Sequence, residues 1–238
     1  MKPRPWPASL AASAALRQSK RPSWRTGVQE RRRDALLDAA EQFFAEKGLL
    51  EASLQEIGEA IGLPPYAVRA QFGNREMIIE AVLDRHVDRL IDRIGLYQKS
   101  TEAAGPADRL RLAIGHLLDM LWAYRHAQRV HVAAMSGASP HLTRTLKLRQ
   151  RHLVHFLAGL IADAVPEAEG RSELAMPVAL SLMGMACWHV LWFRDMGALS
   201  RAEYARLLTH MVIDGTCAAA AAGLGGWEGS GPAVQDAG

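Results

Sequence analysis

Two cysteines in 238 residues, Cys187 and Cys217, leave no disulfide framework on which a scaffold could hang. They lie far apart among Ala, Met and Val, and read as reduced, packed thiols of a cytoplasmic protein. No stretch of 18 uninterrupted apolar residues occurs, so no transmembrane helix and no membrane partner is expected. No alternating apolar/polar run is long enough for a strand, which removes the β classes. The chain also has no glycine-rich phosphate loop, nucleophile motif or carboxylate pair, so catalysis has no residues to run on and no cofactor is implied. His152 and His155 stand one helical turn apart, with Cys187 and His189 in another segment, but nothing completes the spacing a metal site needs.

What the chain does have is a globular composition, 49% hydrophobic and 22% charged, and a marked charge asymmetry. Residues 1–33 hold nine basic side chains against Glu30, a net of +8. Residues 34–75 hold seven acids against Lys47, Arg69 and Arg75, a net of −4. The first 28 residues read as a disordered basic arm, since their apolar stretch is mostly Ala and Ser and is broken by Pro5 and Pro7, unlike a secretory leader. Such an arm can add phosphate contacts; it can equally be a solubilising leader.

After residue 28 almost everything reads as helix. Leu36, Leu37, Ala40, Phe43 and Phe44 share one face of a first helix that stops at Gly48. Ser53 followed by Glu56 is a capping box that opens a second. In Ser53–Glu76, Ile57, Ala60 and Ile61 form one apolar stripe, Val68 and Phe72 another, and Gly62-Leu63-Pro64-Pro65 separates them. That is a helix-turn-helix pattern, one helix bracing a second that can enter a DNA groove. Asn74 is the expected N-cap of a long helix to about Tyr97, and further helices are expected from Pro106, near Gln128–Met135, from Pro140, from about Ser172 and from Ser200. The expected fold is all-α with about nine helices. Residues 29–78 form the helix-turn-helix domain, 79–221 a helical ligand-binding and dimerisation bundle, and 222–238 a disordered tail.

The run RRRDALLDAAEQFFAEKGLLEASLQEIGEAIGLPPYAVRAQFGNREMIIEAVL resembles the N-terminal domain of TetR-family transcriptional regulators. The matching elements are Ala39-Ala40, Phe44, Gly48, Ser53-Leu54, Ile57, Gly62-Leu63, Phe72 and Asn74-Arg75-Glu76. The resemblance implies a repressor that binds a palindromic operator on double-stranded DNA as a homodimer and is released by a small apolar or amphipathic effector. It implies DNA contacts from Tyr66, Ala67, Arg69 and Gln71 on the recognition helix, from Arg75 at the start of the next helix, and from Arg33 and Ser53. Arg69 can meet a guanine edge or a phosphate, and Gln71 an adenine or a phosphate. Departures from the family pattern fall on this surface: Pro64 stands where a Ser or Thr usually caps, Tyr66 replaces a small residue, Arg69 a tyrosine, Gln71 a histidine and Arg75 a lysine. Pro65 suits the first helical position and partly compensates. A chain that keeps the fold but binds a small molecule or lipid without DNA is the competing reading.

In the body, Trp122, His126, His155 and Trp188 combine bulk with a polar handle and are the candidate effector contacts; ordinary core packing is the alternative for each. Val178, Leu182, Met183, Ala186, Val190 and Leu191, with Tyr204, Leu207, Leu208, Met211, Val212 and Gly215, give the last two helices broad apolar faces for pairing two copies or for closing the monomer.

Overall fold

The computed structural model describes residues 24–49, 53–60, 62–101, 103–137, 140–165 and 172–223; the basic residues before Trp24, Ile61 and the expected tail after Gly223 lie outside them. Among the described residues there are nine helices and no strand: α1 (Trp24–Lys47), α2 (Leu54–Ala60), α3 (Pro65–Phe72), α4 (Arg75–Ser100), α5 (Pro106–Ala123), α6 (Arg125–Gly137), α7 (Pro140–Ala164), α8 (Ser172–Trp192) and α9 (Arg201–Ala221). The all-α expectation holds. Helix α1 starts inside the stretch read as an arm to residue 28, because Thr26 and Gly27, weak helix formers, hid its first turn.

Local chemistry sets most boundaries. Gly48 ends α1 with a left-handed φ of 93°, its N–H bonding the Phe44 carbonyl at 3.0 Å. Asn74 caps α4 by accepting from the Met77 N–H at 2.9 Å. Ser200 and Glu203 form a second capping box at the start of α9, with the Glu203 N–H on Ser200 Oγ at 3.2 Å and the Ser200 N–H on Glu203 Oε2 at 2.8 Å. Pro177 sits in the second turn of α8, where its missing N–H removes one bond from the ladder without ending the helix.

The helices pack around two separate hydrophobic cores. The head core joins Leu36, Leu37, Ala40 and Phe44 of α1 to Ile57, Val68 and Phe72, to Ile78, Ile79, Val82 and Leu83 of α4, and to Ala127, Val130 and Ala134 of α6. The body core begins at Leu90 on the same helix α4 and runs through α5, α7, α8 and α9. Helix α4 therefore belongs to both, and the two cores divide it between Leu83 and Leu90 rather than at residue 78.

Five side chains brace α1 against α4. Arg85 pairs with Glu41 and, at 2.8 Å, with Asp38, while Arg89 reaches Glu41 at 3.3 Å. Arg85 Nη1 also donates to the Asp34 carbonyl at 3.1 Å. Three of the seven acids of residues 34–75, Asp34, Asp38 and Glu41, are thus paired with an arginine of α4.

Candidate DNA-reading surface and effector region

The α2–turn–α3 unit is built to a tight tolerance. Ser53 Oγ accepts from the Glu56 N–H at 3.2 Å and the Glu56 carboxylate accepts from the Ser53 N–H at 3.1 Å, which fixes the first turn of α2. The Ser53 bonds hold the Glu56 carboxyl below the usual carboxylate range. The chain then reverses through Gly62, at φ 67°, and the Leu63 N–H returns to the Gly58 carbonyl at 2.8 Å. Gly58, buried inside α2, is where the two segments touch: a Cβ there would stand 2.5 Å from the Leu63 carbonyl oxygen. Sequence reasoning passed over Gly58, although an isolated glycine in a helical pattern signals close backbone approach.

Helix α3 begins as its prolines dictate. Pro64 is the N-cap, in extended conformation and without a side-chain cap bond, and Pro65 takes the first helical position. Gly73 ends the helix at φ 80°, its N–H bonding the Arg69 carbonyl at 2.7 Å. Val68 and Phe72 are buried, so the opposite face must look outward, and it does: Tyr66 is 77% exposed, and Arg69, Ala70 and Gln71 are exposed beside it. Ala67 is half-buried. That face carries a cation, an amide and a phenol and no acid, a set suited to phosphate and base-edge contacts. Arg33, exposed on α1, lies with its guanidinium 4.6 Å from the centroid of the Phe72 ring, the buried anchor of α3. Arg75, half-buried, opens α4 directly behind α3.

The candidate effector residues differ in their surroundings. Trp122 is half-buried against the body core, edge-on to Phe193 with ring centroids 5.6 Å apart, and Arg201 lies 5.4 Å from its ring. His126 is half-buried on α6, and burial lowers its pKa. His155 and Trp188 are exposed on α7 and α8. Two surface grooves occur elsewhere: about 550 Å³ between α1 and α4, lined by Arg33, Asp34, Asp84, Arg85 and Asp88 among others, and about 210 Å³ between α5 and α9 around His116, Asp119, Arg201 and Arg206. Neither gathers the four residues named for a ligand.

The buried polar groups are different ones. His86 on α4 and Gln128 and His131 on α6 are all buried, with His86 Nε2 2.8 Å from Gln128 Oε1. Burial pushes the His86 and His131 rings each down to about 4, so both are neutral at pH 7. Split between α4 and α6, with only Gln128 and His131 one turn apart, these residues form no catalytic or metal motif in the sequence.

The apolar faces of α8 and α9 resolve into two sides. Leu182, Met183, Ala186 and Val190, with Tyr204, Leu208 and Val212, close the body core. Leu180, Trp188, Leu191 and Trp192, with Leu207 and Met211, are exposed. The segment Leu174–Trp192 is also long and apolar enough to cross a membrane by composition, with 39% of that window buried inside the protein. Ser181, Gly184 and His189 interrupt it, which is why no uninterrupted apolar run was visible.

A helix-turn-helix head on a separately cored helical body defines the class of transcriptional regulators that join DNA reading to a second domain. The family model for bacterial regulatory proteins of the tetR family matches residues 36–82, and that for the tetracyclin repressor-like C-terminal domain matches residues 103–216. The chain belongs to the TetR family. It is 24% identical over 196 residues to the HTH-type transcriptional repressor KstR2 of Rhodococcus jostii, covering 80% of this chain and 93% of that protein. A TetR-family regulator from Bordetella parapertussis shares its fold with a TM-score of 0.68 at 21% identity, over 76% of this chain and 94% of that one. AibR, in complex with isovaleryl coenzyme A and operator DNA, superposes with a TM-score of 0.65 at 20% identity, over 76% of this chain and 98% of that one.

Proposed function

We propose that this chain is a cytoplasmic, non-catalytic repressor that binds a palindromic operator as a homodimer and is released by a small apolar or amphipathic effector. The observation that carries the reading is the outward face of α3: its anchors Val68 and Phe72 are buried while Tyr66, Arg69 and Gln71 project together, free of any acid on that helix. Arg33, Ser53, Ala67 and Arg75 complete the proposed contact set. The exposed apolar face of α8 and α9 supports pairing of two copies, since two-fold symmetry doubles one patch into an interface and presents two reading helices to two half-sites. Burying that patch in a dimer also explains a helix as apolar as α8 without a membrane. AibR was crystallised with a coenzyme A thioester and operator DNA, which supports an amphipathic effector for this chain too.

Enrichment of bound duplexes from random DNA tests the reading. An inverted repeat with half-sites about 10 base pairs apart or a multiple of that, and binding that weakens steeply with salt, are expected. Failure to enrich any sequence would favour a small-molecule or lipid carrier that keeps the fold without reading DNA.

A further inference from the structure

Between Leu83 of the head core and Leu90 of the body core, α4 crosses a seam, and the fully buried residue at the crossing is His86. His86 Nε2 meets Gln128 Oε1 at 2.8 Å, and Gln128 Nε2 donates to the Cys187 carbonyl at 3.2 Å. The direction of the chain is fixed by chemistry. A carbonyl only accepts, so the Gln128 amide must turn its NH₂ to Cys187 and its oxygen to His86, which then donates from Nε2. His131, also on α6, stands edge-on to His86 with ring centroids 6.0 Å apart.

The partners belong to different halves of the molecule. Helix α6 sends Ala127, Val130 and Ala134 into the head core, whereas Cys187 packs against the body core. Apolar contacts across such a seam tolerate small rotations, because dispersion has little angular preference. A buried hydrogen-bond chain does not, since it weakens steeply off its line and leaves costly unpaired groups when broken. We propose that Gln128 is a positioning residue that fixes the tilt of the head on the body, and thereby the separation of the two reading helices in the dimer. The proposal rests on the reading of the chain as a dimeric operator-binding regulator.

The test compares affinity for the enriched operator with affinity for the same operator carrying one extra base pair between its half-sites. The wild-type chain is expected to lose about tenfold or more on the respaced site. In the doubled variant His86→Leu/Gln128→Met both polar partners are replaced by apolar side chains of similar bulk, so no buried group is stranded. It is expected to melt close to wild type and to bind non-specific duplex equally well, while the spacing penalty shrinks to less than about threefold. A purely structural role would weaken binding to both operators by the same factor and leave their ratio unchanged. A doubled variant that folds and keeps the full wild-type penalty overturns the proposal. Should the doubled variant not fold, Gln128→Met alone carries the same comparison with the same two outcomes. If the wild-type chain enriches no operator, the regulator reading falls and the proposal with it; if only the variant comparison fails, the regulator stands and the joint falls.

Discussion

Gly58→Ala sets two effects of opposite sign against each other at one atom. In an open helix position the exchange stabilises by about 1 kcal/mol, because alanine loses less backbone freedom than glycine. At Gly58 the new methyl would lie 2.5 Å from the Leu63 carbonyl oxygen and 3.3 Å from Val68 Cγ2. Ordinary carbon–oxygen approaches are about 3.3 Å, so the turn must retreat by about 0.8 Å. Side-chain rearrangement cannot relieve this, since the colliding atom is backbone. Overpacking of this kind costs about 1–3 kcal/mol, and stretching the Leu63 N–H to Gly58 carbonyl bond costs about 1 kcal/mol more. The balance is a loss of about 1–3 kcal/mol, read as a lowered urea midpoint, with operator affinity falling about tenfold as α3 shifts on its brace. Gly159→Ala in α7, where nothing lies within 4 Å of the new Cβ, isolates the propensity effect and is expected to stabilise by up to about 1 kcal/mol. A Gly58→Ala protein as stable as wild type would refute the argument that this contact sets the helix-turn-helix geometry.

Acid should weaken the fold through its buried imidazoles. His86 and His131 sit at about 4 in the folded chain against 6.5 when exposed, so between those values the unfolded state holds protons that the folded state lacks. Stability is therefore full above about pH 6.5 and falls as pH drops toward 4, by about 3 kcal/mol for each ring at the lower end; urea titrations at pH 7.5, 5.5 and 4.5 would show it, and a flat profile would contradict it. Arg69→Ala, on the exposed face of α3, is expected to weaken operator binding about tenfold and, if the side chain meets a phosphate, to reduce the salt slope by about one, measured by titration at several salt concentrations. Leu191→Glu puts a charge on the exposed apolar face of α8 and is expected to raise the dimer dissociation constant about a hundredfold without unfolding the monomer, as sedimentation would show. Ser200→Ala removes the capping box of α9 and should cost about 1 kcal/mol in thermal or urea unfolding.

The head was legible because its rules are local. A capping box, a left-handed glycine, two prolines and apolar residues at helical period each act within a few positions, and Ile57, Val68 and Phe72 are buried as their spacing requires. The body was legible only as helices. Which side of α8 meets the core depends on partners on α5, α6, α7 and α9, outside its own local sequence, so Leu182 and Leu191 look alike in sequence and end on opposite sides. The same limit hid the seam: His86, Gln128 and His131 resemble surface residues until α4, α6 and α8 are brought together. Trp188, named for its bulk and polar handle, proved exposed for the same reason.

The reading helix also separates what it recognises from what keeps it folded. Val68 and Phe72 hold α3 to the head, the prolines start it without help from any side chain, and Tyr66, Arg69, Ala70 and Gln71 bear on neither task. Surface exchanges of this kind typically change stability by no more than about 0.5 kcal/mol. Retargeting to a different operator is then a matter of four side chains, and a library randomised at those positions should yield folded proteins almost throughout, its members differing in address rather than in architecture.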